Sequence, residues 1–326
     1  MTSPVFWIGV LTLALIYGSL AMVLNVESGW GGMWDLGTAG LLASGAYFYA
    51  IVTIDDPGLG TTFVPGWPMW LAWPAAALFT GVVAFVIAIP ALRLRREYFL
   101  ITTLAFAEII RHLIVIQSDL TRGTTGIANI SRPLDGTVSG RNYNYVLFAI
   151  VAFATVIIYL ITRRLGTSPY GRTLRAARDN EALALALGKR VNRMRLLTFV
   201  TAGVIIGAIA PLYLFFIRAI SPSLFAPGFT FTVWTALIIG GMGSIRGGVV
   251  GAVVLIVFTE AVGLIELDPS RINILIAIEP LMVGLFLILV LRFRPEGLFT
   301  ERKAFGVPRA KVDSSAAPTA TADSLS

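Results

Sequence analysis

Glu108, Arg111 and His112 stand at i, i+3 and i+4, the spacing that brings three side chains onto one face of a helix. They interrupt a run, residues 98–117, that is otherwise almost wholly apolar. Ionisable groups within such a run are costly at membrane depth and mark polar pathways, proton relays or internal ion pairs. Two readings of the trio stay open: a patch lining a pathway or carrying protons, and a Glu108 to Arg111 pair that only fixes helix packing. Glu260 and Glu279 sit in later apolar runs, the second just before Pro280. A separate basic row, Arg172, Arg175 and Arg178, repeats every third residue. The chain has no cysteine, and His112 is its single histidine. Disulfides, thiol nucleophiles, Cys-ligated zinc and multi-histidine metal sites are therefore excluded, and no metal site is expected. A phosphate-binding loop ending Gly-Lys-Ser/Thr is absent too, because Gly188-Lys189 is followed by Arg190. No constellation for an intramembrane enzyme emerges.

The elements that must carry these residues follow from composition. Apolar residues make up 56% of the 326 and charged residues 13%, half the roughly 25% of a soluble domain. Mean hydropathy is +0.82, which excludes an ordinary soluble enzyme. About 20 residues of helix cross a hydrocarbon core of roughly 30 Å. Nine runs fit: 5–24, 36–54, 69–92, 98–117, 145–162, 196–217, 229–245, 247–265 and 272–291. The expectation is an all-α polytopic membrane protein with about nine transmembrane helices, eight to ten allowing for broken ones. Run 36–54 is rich in small residues and run 229–245 ends in Gly240-Gly241-Met242-Gly243-Ser244, so either is read as broken or re-entrant. The first run lacks a basic start and a small-residue cleavage site and reads as an anchor.

Charge placement gives orientation. Arg93, Arg95 and Arg96 follow the third run, nine basic residues lie between Arg163 and Arg195, and Arg292, Arg294, Arg302, Lys303, Arg309 and Lys311 follow the last. Nine crossings put all three clusters on one side, which the positive-inside rule makes cytoplasmic, with the C-terminus. The net charge of +7 therefore reports topology and contact with lipid phosphate; no nucleic-acid partner is expected. Residues 301–326 form a cytoplasmic tail whose end is rich in Ala, Ser, Thr and Pro; it is expected to be disordered. The membrane domain is read as 1–300.

Residues 166–195 are too charged to span. Ser168 is placed to cap a helix that has Pro169 at its first position, Asp179 or Asn180 to cap a second turn of helix, and Gly188 to end it. The arginine row shares one side, while Ala and Leu leave an apolar surface on which a soluble partner can pack. A solvated loop lying on lipid headgroups is the competing reading.

Several motifs in this order carry a resemblance: Gly171-Arg172, Ala176, Asp179, Glu181-Ala182 and Gly188; Ser221-Pro222; and Gly240-Gly241-Met242-Gly243-Ser244. Added to them are Tyr98-Phe99 with Thr103-Leu104-Ala105-Phe106 and Glu108-Ile109, the loop Gly123-Thr124-Thr125-Gly126-Ile127, and Arg294-Pro295-Glu296-Gly297-Leu298. Together they resemble the permease subunits of branched-chain amino-acid ABC importers over roughly residues 25–300. The resemblance implies that Gly171, Arg172, Arg175, Arg178, Asp179, Glu181, Ala182 and Gly188 form the element that couples to an ATPase. It also implies two ATP-binding subunits that hold ATP and magnesium, a second similar permease, an extracytoplasmic binding protein and a bacterial or archaeal plasma membrane. This chain itself would hold no cofactor and catalyse nothing. It departs from the pattern where Glu-Ala-Ala reads Glu181-Ala182-Leu183, where Gly188 lies one residue later than usual, and where residues 33–39 keep only part of an Asn-Leu-Gly-His-like sequence. If amino acids are carried, open backbone at helix breaks supplies partners for both ends of a zwitterion. Gly123, Thr124, Thr125 and Gly126, with Gly240, Gly241, Gly243 and Ser244, are the candidates, and tight turns are the plainer reading of the same glycines. The alternative function is a secondary transporter coupled to protons through Glu108 and His112.

Overall fold

A chain crossing lipid has no water to bond its peptide groups and satisfies them within helices. The computed structural model describes residues 4–54, 65–94, 96–130, 132–134, 140–263, 272–294 and 296–299. Among these, each of the nine apolar runs lies on its own helix. In chain order the helices are α1 (Pro4–Leu24), α2 (Thr38–Thr53), α3 (Met69–Ala91), α4 (Arg96–Ile116), the single turn α5 (Ser118–Thr121), α6 (Gly140–Thr167), α7 (Pro169–Asp179), α8 (Glu181–Ala186), α9 (Val191–Ile217), α10 (Pro227–Gly240), α11 (Ile245–Gly263) and α12 (Ile272–Phe293). Six helical stretches of the described residues are long and apolar enough to cross a membrane, and Thr38–Thr53, Pro227–Gly240 and Leu281–Phe293 are shorter apolar helices. The fold is that of an all-α polytopic membrane protein. The tail at 301–326 lies outside the described residues.

Helix ends differ from the hydropathy windows for a physical reason. Helix α6 begins before Tyr145 and runs through Arg163 and Arg164 to Thr167, and α9 starts at Val191, ahead of Arg193 and Arg195. Charged residues near helix ends reach out to the interface, so they end an apolar window without ending the helix. At α1 the opposite happens: the helix continues past Leu24 as a π-helical turn, Asn25–Trp30.

Helices α1 and α9 form the centre. Helix α1 packs on α6, α9, α10 and α11, and α9 packs on α2 and α3. Small residues permit the close approach that holds membrane helices together. A side chain added at Gly18 would meet the Val249 backbone at 3.1 Å, and one at Gly248 would meet the Met22 backbone at 3.1 Å. The outward faces of α3, α6 and α12 are plain hydrocarbon, represented by Trp70 and Val82, Phe153 and Leu160, and Leu281 and Ile288. Such faces suit lipid.

Among the described residues, members of the basic segments gather at one end of the bundle. Arg93, after α3, shares a cleft with Glu181 and Arg195, and Phe299, beyond α12, shares another with Arg163 and Arg172. At the far end Ile127 and Ile220 exchange backbone hydrogen bonds of 2.9 and 2.8 Å, tying the loop after α5 to the loop after α9.

Candidate functional site

Helices α7 and α8 owe their shape to local chemistry. The Ser168 hydroxyl accepts from the Gly171 amide at 3.2 Å, and Pro169 occupies the first turn, where it needs no amide proton. Asn180, rather than Asp179, caps α8, its side-chain oxygen accepting from the Leu183 amide at 3.0 Å. Gly188 closes the segment at φ +72°. Tyr170 pins α7 to α9, with its hydroxyl 2.7 Å from the Met194 carbonyl and 2.8 Å from Thr198 Oγ1. Glu181 holds Arg195 through two bonds of 3.0 and 2.8 Å. Outward, Arg172, Asp179, Ala182 and the row Leu183, Leu185 and Leu187 are exposed.

The inner side of α7 grips the π-helical turn of α1. Arg178 donates to the Gly29 carbonyl as well as to Asp179. Arg175 donates to the Gly166 carbonyl at 2.9 Å and lies 5.3 Å above the Trp30 ring. Leu174 is buried with Val26 and Trp30. Trp30 in turn donates from Nε1 to the Gly243 carbonyl at 3.0 Å, and Asn25 accepts from the Gly243 amide at 2.7 Å. Three of the expected coupling residues, Arg175, Arg178 and Asp179, and the Gly240 to Ser244 turn thus belong to one assembly, joined through α1. That turn runs through Gly241 and Gly243 at φ +103° and +89°. The open carbonyls of Ile239 and Gly240, at the end of α10, accept from the amides of Leu298 and Phe299 at 2.9 and 3.0 Å. The stretch ending in Gly297-Leu298 therefore serves as a cap.

Between α1 and α2 the backbone leaves helix in a stretch that is buried except for Trp34. The Leu36 amide donates to Thr103 Oγ1 of α4 at 3.0 Å, and the Asp35 carbonyl accepts from Trp234 Nε1 of α10 at 2.7 Å. The Ala39 amide donates to Thr230 Oγ1 of α10 at 3.1 Å. The Asp35 carboxylate accepts from the Gly37 amide at 2.8 Å. Glu27 is fully buried, and neither carboxylate oxygen has a hydrogen-bond partner among the described residues. Irregular backbone that is packed in protein and tied to neighbouring helices is the arrangement tolerated around binding sites and hinges. Sequence reasoning passed over Asn25, Glu27 and Trp30, and touched Asp35 only within the partly kept stretch 33–39. The available signal was an Asn and a Glu directly after an apolar run, followed by Trp30-Gly31-Gly32.

Glu108, Arg111 and His112 share one face of α4. Arg111 donates from Nε and Nη2 to Glu108 Oε2 at 2.9 and 2.6 Å, and His112 Nε2 lies 4.0 Å from the same oxygen. Their side chains remain 30%, 26% and 64% exposed for Glu108, Arg111 and His112 respectively. His112 is thus on the outside of this chain, and Glu108 and Arg111 are half-buried beside it, as Glu260 is on α11; the side chain of Glu279 is outside the described residues. Gly123, Thr124, Thr125 and Gly126 form the turn beyond α5, with both threonines exposed and Gly126, at φ +74°, pressed on the Ile220 carbonyl. This turn and the Gly240 to Ser244 turn occupy opposite ends of the bundle and do not form one site.

Among the described residues, nine apolar helices, with a break between α1 and α2 and a charged helical pair tied to the π-helical turn that precedes it, define a polytopic membrane permease. The chain belongs to the family described as "Branched-chain amino acid transport system / permease component", whose model matches residues 6–291. It is 29% identical over 313 residues to the high-affinity branched-chain amino acid transport system permease protein LivM of Escherichia coli strain K12, covering 89% of this chain and 69% of that one. The same figures hold for LivM of Salmonella typhimurium strain LT2. A probable branched-chain amino acid transport permease protein LivM of Methanocaldococcus jannaschii is 26% identical over 332 residues, covering 91% of this chain and 94% of that one. No solved structure matches the chain.

Proposed function

We propose that this chain is the membrane-spanning subunit of an ATP-driven importer for branched-chain amino acids or related small polar solutes. The observation that carries the proposal is the grip of α7 on the π-helical turn of α1, through Arg178, Arg175 and Leu174. A partner that docks on the exposed leucines of α8 and moves α7 by a few ångströms pulls on Gly29 and Trp30, and through them on Gly243. Motion at the membrane surface thereby reaches the helix break without passing through lipid-facing side chains. Two ATP-binding subunits supply that motion, since the sequence has no phosphate-binding loop of its own; they hold the ATP and magnesium. The substrate arrives from an extracytoplasmic binding protein, and the helix breaks offer backbone donors and acceptors to a zwitterion. In this reading the chain is not an enzyme, lies in the plasma membrane of a bacterium or archaeon, and keeps α7, α8 and the C-terminus in the cytoplasm.

The face of α4 supports a second permease subunit alongside this one. An exposed imidazole beside a half-buried ion pair is poorly placed against lipid, whereas a seam between two permeases gives them water and partners. A second reading, proton-coupled secondary transport, is favoured by one observation, the 4.0 Å approach of His112 to Glu108. Purification in mild detergent, with mass spectrometry and an ATPase assay of the eluate, separates the two. The importer predicts recovery of ATP-binding subunits and uptake that survives a protonophore while ATP is maintained. Uptake that collapses under those conditions, by a chain free of ATPases after crosslinking, rejects it.

A further inference from the structure

Two concavities meet on the flank where α1, α6 and α11 come together. One is a cleft of about 710 Å³ at the basic end of the bundle, lined by Arg163, Arg172, Arg175 and Arg246, with no Asp or Glu in its wall among the described residues. Gly243 and Ser244 complete the wall at the entrance to α11, so the positive end of that helix faces the same space. The other is a groove of about 530 Å³ walled by Leu15 of α1, Ala152 and Val156 of α6, and Val249 of α11. Tyr159, Arg246 and Phe299 line both, so the basic cleft opens directly into the apolar groove.

Among the described residues, three of these arginines bond to neutral oxygens. Arg172 donates to the Thr167 carbonyl at 2.9 Å, Arg175 to the Gly166 carbonyl at 2.9 Å, and Arg246 to the Tyr159 hydroxyl at 3.3 Å. Four like charges converging without a counter-charge among the described residues favour an anion. Helix α6 supplies the direction: Arg163, Tyr159, Val156 and Ala152 follow one another at helical spacing, a stripe about 16 Å long that is cationic at one end and apolar beyond it. A free anion would use the cleft and leave the groove unexplained. We propose that an anionic phospholipid binds here, its phosphate held between Arg163 and Arg246 and an acyl chain lying along α6 and α11. Basic pockets between membrane helices have this chemistry at the surface of an anionic leaflet.

The test uses the full chain purified in detergent and two variants outside α7 and α8: R163Q/R246Q, which empties the cleft of two charges, and Ala152→Trp, which fills the groove. Wild-type protein should retain anionic phospholipid by mass spectrometry and be stabilised against heat by phosphatidylglycerol but not phosphatidylcholine. Each variant should retain about tenfold less. Equal retention in all three proteins overturns the proposal. So does a response to phosphatidylglycerol that survives Ala152→Trp and is matched by inorganic phosphate, the pattern of a free-anion site. Crosslinking of Arg163→Cys to an ATP-binding subunit would make the cleft a protein interface and equally reject the lipid. None of these readouts requires transport, so they leave the importer reading to its own assay.

Discussion

Trp30 joins three systems with one side chain: its ring lies under Arg175, its apolar surface is buried with Leu174, and its indole nitrogen donates to Gly243. Truncation to alanine removes all three and should cost about 3–5 kcal/mol of stability, enough to lower yield as well as activity. Trp30→Phe is more informative, because it keeps an aromatic ring over which Arg175 can lie and deletes the bond, at about 1–3 kcal/mol where a buried carbonyl is left unpaired, with a smaller cost for the lost ring volume. If the route from α7 to the α10–α11 turn runs through this residue, the phenylalanine variant folds and hydrolyses ATP with its partners but imports at least tenfold less solute per ATP consumed. Unchanged stoichiometry in reconstituted vesicles would remove Trp30 from the route. Arg178→Ala should behave in the same way while leaving α7 in place, because Tyr170 still anchors that helix to α9. The Glu181 to Arg195 bridge is exposed and worth at most about 1 kcal/mol, so any strong effect of Glu181→Gln on uptake would reflect docking rather than folding.

The pair α10 and α11 shows how little tolerance the break allows. Gly240 and Gly247 press backbone to backbone, so a methyl group on Gly240 has no space beside the Gly247 peptide. Gly240→Ala should lower the thermal midpoint in detergent, with a cost of about 1–3 kcal/mol from forced separation. Gly9→Ala on α1, where an added methyl group meets nothing within 4 Å, is the matched control and should be neutral or slightly stabilising. At this scale the nine apolar runs were legible because length and apolarity alone decide whether a helix can cross lipid. The caps at Ser168 and Gly188 were legible because they depend on residues a few positions away. The π-helical turn was not, since Asn25 and Glu27 look like the polar end of a span until Gly243, more than two hundred residues later, is seen bonded to Asn25. The trio on α4 was legible as a shared face but not as one exposed at His112, because spacing along a helix does not say which side its neighbours cover.

At the scale of the whole molecule, α4 is the outer helix whose exposed face does not suit lipid. Tyr98, Ile101, Ile109, Leu113 and Ile116 surround a charged pair and an imidazole, whereas the faces of α3, α6 and α12 offer plain hydrocarbon. Both guanidinium bonds end on Glu108 Oε2, so Oε1 stays available to a further donor. If a second permease completes this face, α4 and its counterpart form the seam along which solute passes. The absence of native cysteine makes the seam testable residue by residue. A cysteine introduced at Ile101, Ile109 or Leu113 should crosslink to a permease-sized partner in native membranes, and one at His112 should react with a water-soluble maleimide in the assembled transporter. Cysteines at Phe153 of α6 or Ile288 of α12 should do neither and should instead be reached by reagents dissolved in the lipid. Glu108→Gln would keep assembly but weaken the pair with Arg111, and uptake should fall with unchanged sensitivity to protonophore. The reverse pattern, with lipid access at α4 and crosslinking at α6 or α12, would move the seam to another face. The ion pair would then remain a packing device at the bundle's edge.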